Sequence, residues 1–134
     1  GLTTMGADVM ICGPSTLIPP HIEKLGVKVS YDMDEVVDWA DAVNILRIQL
    51  ERMDTGLYPS VREYRELFGL SVERIKRHSK DLVVMHPGPM NRGTEIDSAV
   101  ADSDRAIILD QVLNGVASRM AILYLLLGGK MEEN

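Results

Sequence analysis

Apolar positions fall in short runs along the chain, each closed by a turn signal and followed by a stretch of helical spacing. Residues 8–12 form one such run, closed by Gly13-Pro14-Ser15-Thr16, and read as a buried strand and a turn. Pro19 and Pro20 suit a first helical turn, with Ile22 and Leu25 on its apolar face and Gly26 as a left-handed stop. Val27, Val29 and Tyr31 alternate with Lys28 and Ser30, which predicts a second strand. Asp32, with Glu35 three residues on, opens a helix over 35–40 that turns Val36, Val37 and Ala40 inward. Residues 42–46 form the third apolar run. Ser60-Val61-Arg62-Glu63 has capping-box spacing and predicts a helix with Val61, Tyr64, Leu67 and Phe68 on one side, ended by Gly69. Ser71 caps a further helix over 72–79, with Val72 and Ile75 inward. The run 82–85 is the fourth strand, and a short helix is expected around 96–101 in an otherwise polar stretch.

The last element is long. Leu109, Val112, Leu113, Val116, Met120, Leu123 and Leu127 recur at helical spacing over 108–127, and Gly128-Gly129 stops the run. Its second half, residues 120–127, is apolar on every side, a pattern of helices buried all round. Another domain or subunit is therefore expected to pack on it. The opening Gly1-Leu2-Thr3-Thr4-Met5-Gly6 resembles the tail of a helix, which fits a piece of a longer protein. Strand and helix alternate four times. This predicts an α/β fold: a three-layer, Rossmann-like open parallel sheet of about four strands with helices on both faces. Ligands of such sheets bind outside the carboxyl ends of the strands. Three loops of unusual chemistry fall there: 13–16, 47–53 and 86–93.

Composition narrows the partners. The 134 residues suit one domain with a real core. Twenty acidic against 14 basic residues leave a formal charge of −6, which argues against general nucleic-acid or membrane-surface binding. The single cysteine, Cys12, excludes a disulfide framework and a cysteine-based zinc site, and a cytoplasmic setting is expected. Cys12, Trp39 and Tyr124 read as packing residues, and His21 and His78 as solvated. No window reaches the apolar length of a membrane span. No Gly-x-Gly-x-x-Gly follows a strand, so a dinucleotide site is not expected.

Two of the three loops carry chemistry. In the turn His86-Pro87-Gly88-Pro89, two prolines remove N–H donors and Gly88 lets main chain approach a ligand, leaving carbonyls as acceptors. Asn91 and Arg92 follow with an amide and a planar cation. His86 is read as fixing the turn rather than moving a proton. In the second loop Arg47 and Gln49 flank Ile48. If the third strand persists to Gln49, both point to one face, where a guanidinium fork and an amide suit a carboxylate. Arg47 otherwise leaves the core by its long stem. Glu51 and Arg52 are expected to support the loop, or to pair on the surface. Gly13-Pro14-Ser15-Thr16 has too few glycines and no lysine for a phosphate turn and is read as structural.

Leu46-Arg47-Ile48-Gln49-Leu50-Glu51-Arg52 and Met85-His86-Pro87-Gly88-Pro89-Met90-Asn91-Arg92-Gly93-Thr94-Glu95-Ile96, in that order and at that separation, resemble the second half of the aspartate carbamoyltransferases. Gly13-Pro14 with Leu17 and Pro19, and the long closing helix, fit the same pattern, so the similarity covers essentially the whole chain. The resemblance implies the aspartate-binding domain of a transferase that joins carbamoyl phosphate to L-aspartate in pyrimidine synthesis, without metal or cofactor. It implies that Arg47 and Gln49 hold the aspartate side-chain carboxylate. Backbone carbonyls around Pro87 and Gly88 would face the carbamoyl amine and the attacking amine. Pro89 would follow a cis bond, and Arg92 would join the substrate-binding set. The segment from Arg52 to about residue 79 resembles the one that closes over substrates.

The family's Ser-x-Arg-Thr carbamoyl-phosphate signature, and the first strand of the aspartate domain, are not within the 134 residues. The chain alone is therefore expected to be inactive. Active members are trimers, so a homotrimer is implied, with dihydroorotase or regulatory chains as further partners. The ornithine branch would want a carboxylate where Arg47 and Gln49 stand, and cysteine after the turn histidine. A module that merely braces a multi-enzyme complex is the reading from another class.

Overall fold

The structure, a computed structural model, describes residues 1–49, 60–78 and 81–128. The four expected strands are present and parallel: β1 (Met10–Cys12), β2 (Lys28–Ser30), β3 (Ala42–Asn44) and β4 (Val83–Met85). They form two ladders. β1 pairs with β2, and β3 with β4 in the register Ala42 to Val83, Val43 to Val84 and Asn44 to Met85. Each strand keeps three residues of its apolar run, so the hydrogen-bonded sheet is smaller than the runs suggested. Among the described residues, no ladder joins the two pairs.

Among the described residues, five α-helices connect and follow the strands: α1 (Met33–Trp39), α2 (Val61–Phe68), α3 (Val72–Arg77), α4 (Ser98–Ala101) and α5 (Ile108–Leu126). Their starts follow local chemistry. The Asp32 side chain accepts from the Asp34 N–H at 2.9 Å, Ser60 from Glu63 at 3.2 Å and Ser71 from Arg74 at 3.1 Å. These are side-chain caps on otherwise orphaned helix donors. The helix expected after Pro20 is only a 3-10 turn, Ile22–Leu25, because left-handed residues, His21 before it and Gly26 after it, close it at both ends.

α1 packs on β1 and β2 and turns Val36, Val37 and Ala40 into the core, as its spacing predicted, together with Met33. Leu70, Leu82, Val84, Ile96 and Val100 complete the centre, with Leu70 and Val84 wholly inaccessible. Tyr64 of α2 is buried, but Val61 and Leu67, expected beside it, are exposed. The inward stripe of α2 is the narrower pair Tyr64 and Phe68, one buried and one half-buried. His78, expected in solvent, is instead seated between Asp34 and Asp38 of α1, its side chain 12% exposed. Tyr124, expected to pack, is half exposed on α5.

Candidate functional site

β3 and β4 run parallel and end side by side, so the segments leaving them start on one rim. The Ile45 N–H donates to the Met85 carbonyl at 2.9 Å, extending the pairing one step beyond the ladder. β3 ends at Asn44 rather than reaching Gln49, yet the alternation survives: Ile48 is buried while Arg47 and Gln49 on either side are half-buried.

On the β4 side the chain enters a turn built around a wholly buried His86. Its backbone N–H donates to Gln111 Oε1 of α5 at 2.8 Å, and Gln111 Nε2 donates to Asn44 Oδ1 at 3.3 Å. The Gly88 N–H donates to His86 Nδ1 at 2.9 Å. That nitrogen therefore carries a lone pair, and the proton of the neutral ring belongs on Nε2. Nε2 faces Glu95 Oε1 at 3.4 Å, an electrostatic contact between two groups with no exposed side-chain surface. Through this bond the ring serves as an acceptor that shapes the turn.

Gly88 has φ +60°, and the Gly88–Pro89 peptide is cis. Among the described residues, the carbonyls of Pro87, Gly88 and Pro89 accept no hydrogen bond. The turn thus presents unengaged acceptors on a scaffold with few degrees of freedom. Glu95 Oε1 also accepts from the Asn91 N–H, and Asn91 Nδ2 donates to the Ile48 carbonyl at 2.9 Å. This last bond spans the rim and ties the proline turn to the residue between Arg47 and Gln49.

The structure therefore links the segment holding Arg47 and Gln49 to the turn of His86, Pro87, Gly88 and Pro89 through the Asn91–Ile48 hydrogen bond. It takes Arg92 elsewhere. Both terminal nitrogens of Arg92 are spent on the carboxylate of Asp102, at 2.7 and 2.8 Å, and that bond holds the Asp102 carboxyl below its ordinary range. A bidentate pair with a nearby carboxylate satisfies the guanidinium locally. Glu51 and Arg52 lie outside the described residues, as do 52–59 and 79 of the segment expected to close over substrates; its remainder includes α2 and α3. The turn 13–16 follows β1, in the other ladder. Burial, followed by the charge of Asp32, pushes the Cys12 thiol up to about 11, so it is an inert packing group.

Sequence reasoning missed Glu95 and Gln111. A glutamate in a polar stretch and a glutamine on a helix carry no local mark of burial. The only signal was Glu95 lying beside the apolar Ile96.

The chain matches the family described as aspartate/ornithine carbamoyltransferase, Asp/Orn binding domain, over residues 1–126. It is 56% identical over 132 residues to the aspartate carbamoyltransferase catalytic subunit of Gemmatimonas aurantiaca, covering 98% of this chain and 41% of that protein. It is 59% identical over 129 residues to the subunit of the same name from Heliobacterium modesticaldum, covering 96% and 41%. The chain thus spans about two fifths of the length of these curated relatives. Among solved structures it resembles aspartate transcarbamoylase from Trypanosoma cruzi in complex with N-(phosphonacetyl)-L-aspartic acid, with a TM-score of 0.68, 27% identity, and coverage of 87% of this chain and 39% of that one. It shares its fold with ornithine carbamoyltransferase from Pyrococcus furiosus, with a TM-score of 0.74, 24% identity, and coverage of 96% and 44%.

Proposed function

The chain belongs to the aspartate/ornithine carbamoyltransferase family, and from that premise we propose that it is the amino-acid-binding part of an aspartate carbamoyltransferase. The reaction moves the carbamoyl group of carbamoyl phosphate to the amino group of L-aspartate, giving N-carbamoyl-L-aspartate and phosphate. The amine attacks the carbamoyl carbon, a tetrahedral centre forms, and its collapse breaks the bond to phosphate, which departs with the proton given up by the attacking nitrogen.

The observation that carries the reading is the Asn91–Ile48 hydrogen bond, which unites the Arg47–Gln49 segment with the unengaged carbonyls of the proline turn. In the proposed complex Arg47 and Gln49 grip the aspartate side-chain carboxylate, which orients the amine. The carbonyls of Pro87 and Gly88 accept N–H bonds from the carbamoyl amine and from the attacking nitrogen, whose acidity rises as the new bond forms. Such contacts strengthen toward the transition state, so they act on rate as well as on binding. No side chain of this set needs to exchange a proton, which accords with the acceptor role of His86. Carbamoyl phosphate is held by a part of the protein outside these 134 residues, so residues 1–134 alone are expected to show no turnover. That part also covers α5, and the trimer of the active protein is part of the same proposal.

The choice of aspartate over ornithine rests on charge. A cationic ornithine side chain would meet Arg47 with repulsion, and eight relatives at 52–59% identity carry the aspartate name. The test is steady-state assay of the whole protein with both amino acids. Aspartate turnover is expected, and ornithine turnover without it would overturn the reading. Arg47→Ala should raise the aspartate KM by roughly a hundredfold, the loss of about 3 kcal/mol of charge-assisted hydrogen bonding.

A further inference from the structure

The contacts of Glu95 go beyond a buried ion. Its Oε1 faces the ring that accepts from Gly88 and also accepts from the backbone of Asn91, whose side chain reaches the Ile48 carbonyl. Its Oε2 has no hydrogen-bond partner among the described residues. A carboxyl group with no exposed side-chain surface is costly to bury, and it persists where it organises its neighbours. The donor it holds, the Asn91 N–H, belongs to the residue that ties the two halves of the proposed site, and His86 Nε2, without a hydrogen-bond partner among the described residues, faces it at 3.4 Å.

We propose that Glu95 is the positioning residue of the amino-acid site, holding the proline turn through His86 and the Arg47–Gln49 segment through Asn91. The inference rests on the functional reading above and deepens it. One arm sets where the turn carbonyls point, which governs the reacting nitrogens. The other sets the height of Ile48, and with it the two side chains that grip the carboxylate. The arms separate in kinetics because rate is read by the first and amino-acid binding by both.

The geometry also ranks the variants. Glu95→Gln keeps an oxygen for the Asn91 N–H and loses only the charge facing His86. Glu95→Ala loses both arms. Asn91→Ala keeps its own N–H bond to Glu95 and cuts only the bond to Ile48.

The experiment is steady-state kinetics of the whole protein, with thermal unfolding of each variant and amide hydrogen exchange at Gly88. Asn91→Ala is expected to raise the aspartate KM about tenfold, with kcat and the carbamoyl phosphate KM within about twofold. Glu95→Ala is expected to lower kcat by about a hundredfold or more, to raise the aspartate KM, and to lose protection of the Gly88 amide. Glu95→Gln should recover most of the aspartate KM but only part of kcat. Unchanged aspartate kinetics in all three would overturn the proposal, as would equal shifts in both substrates' KM. If Glu95→Ala does not fold, the Asn91→Ala and Glu95→Gln results decide. A wild-type protein that never turns over aspartate would instead sink the functional reading. Gly88 protection, lost in Glu95→Ala and kept in Glu95→Gln, would then judge the network alone.

Discussion

A methyl group at Gly69 would lie 2.6 Å from the carbonyl oxygen of Arg65 and 2.9 Å from that of Thr94. Both are backbone atoms that cannot swing aside. At Gly88 the nearest atom would be Val112 Cγ2 at 3.9 Å, an ordinary contact, and the obstacle is the left-handed φ of +60°. Gly69→Ala should therefore cost about 2–3 kcal/mol through overpacking, and Gly88→Ala about 1–2 kcal/mol through backbone conformation. Urea denaturation of the two variants checks the order, and a costlier Gly88→Ala would contradict it. The sequence marked both residues but not their reasons. Gly69 was legible as the end of α2, because glycine often closes helices. The loop that presses on it comes from residue 94, and no local pattern announces that contact. The same limit hid Glu95, whereas Arg47 and Gln49 showed themselves by alternating around Ile48.

At the scale of elements, α2 and α3 are joined to α1 by one buried guanidinium. Arg74 donates to the carbonyls of Glu66 and Leu67 at 3.1 and 3.2 Å, to that of Gly69, and to Asp34 Oδ1 at 2.8 Å. These carbonyls belong to the end of α2, where acceptors lack helical partners and a cation complements the dipole. Arg74→Ala should cost about 3 kcal/mol or more, because the Asp34 carboxylate loses its shortest hydrogen bond and the carbonyls of Glu66, Leu67 and Gly69 lose this donor at once. Thermal unfolding with intact α1 as control reads this. Partial burial by itself would raise the Asp34 carboxyl, but the hydrogen bond and charge of Arg74, with His78 and Arg77 nearby, hold it below its ordinary value. A depressed carboxylate stabilises the fold above the unfolded carboxylate range, about pH 4, and that contribution is lost as pH falls through the folded value. Asp34→Asn should thus be less stable than the wild type at pH 7 by about 1 kcal/mol, given the partial exposure of Asp34. The gap should close in acid; a gap that widened instead would assign the stabilisation to another group. The helix starts at Ser60 and Ser71 were readable from capping chemistry. The seat of His78 against Asp34 and Asp38 was not, since those partners lie some forty residues earlier in the chain.

Across the whole molecule, the residues that the spacing assigned to one apolar stripe are largely uncovered. Leu109, Leu113, Met120, Leu123 and Leu127 of the α5 region are each more than half exposed, and only Ile108 of this helix is buried. No helix among the described residues is long and apolar enough to cross a membrane. An apolar face of this size on a folded chain marks a contact surface. Its period and its absence from the core were both legible, because the pattern was apolar on more sides than one small domain can cover. Our proposal that the carbamoyl-phosphate half covers α5 makes opposite predictions for the two forms of the protein. In residues 1–134 alone, Leu123→Lys should leave thermal unfolding unchanged and reduce self-association and binding of a hydrophobic dye, since it puts a charge on an exposed face. In the whole protein the same change should destabilise by about 2–3 kcal/mol, the loss of a buried leucine and the burial of a lysine stem. Sedimentation of the short form and calorimetry of the long one make the comparison. Equal tolerance in both forms would mean that this helix stays in solvent, and the covering partner would have to be sought on another face.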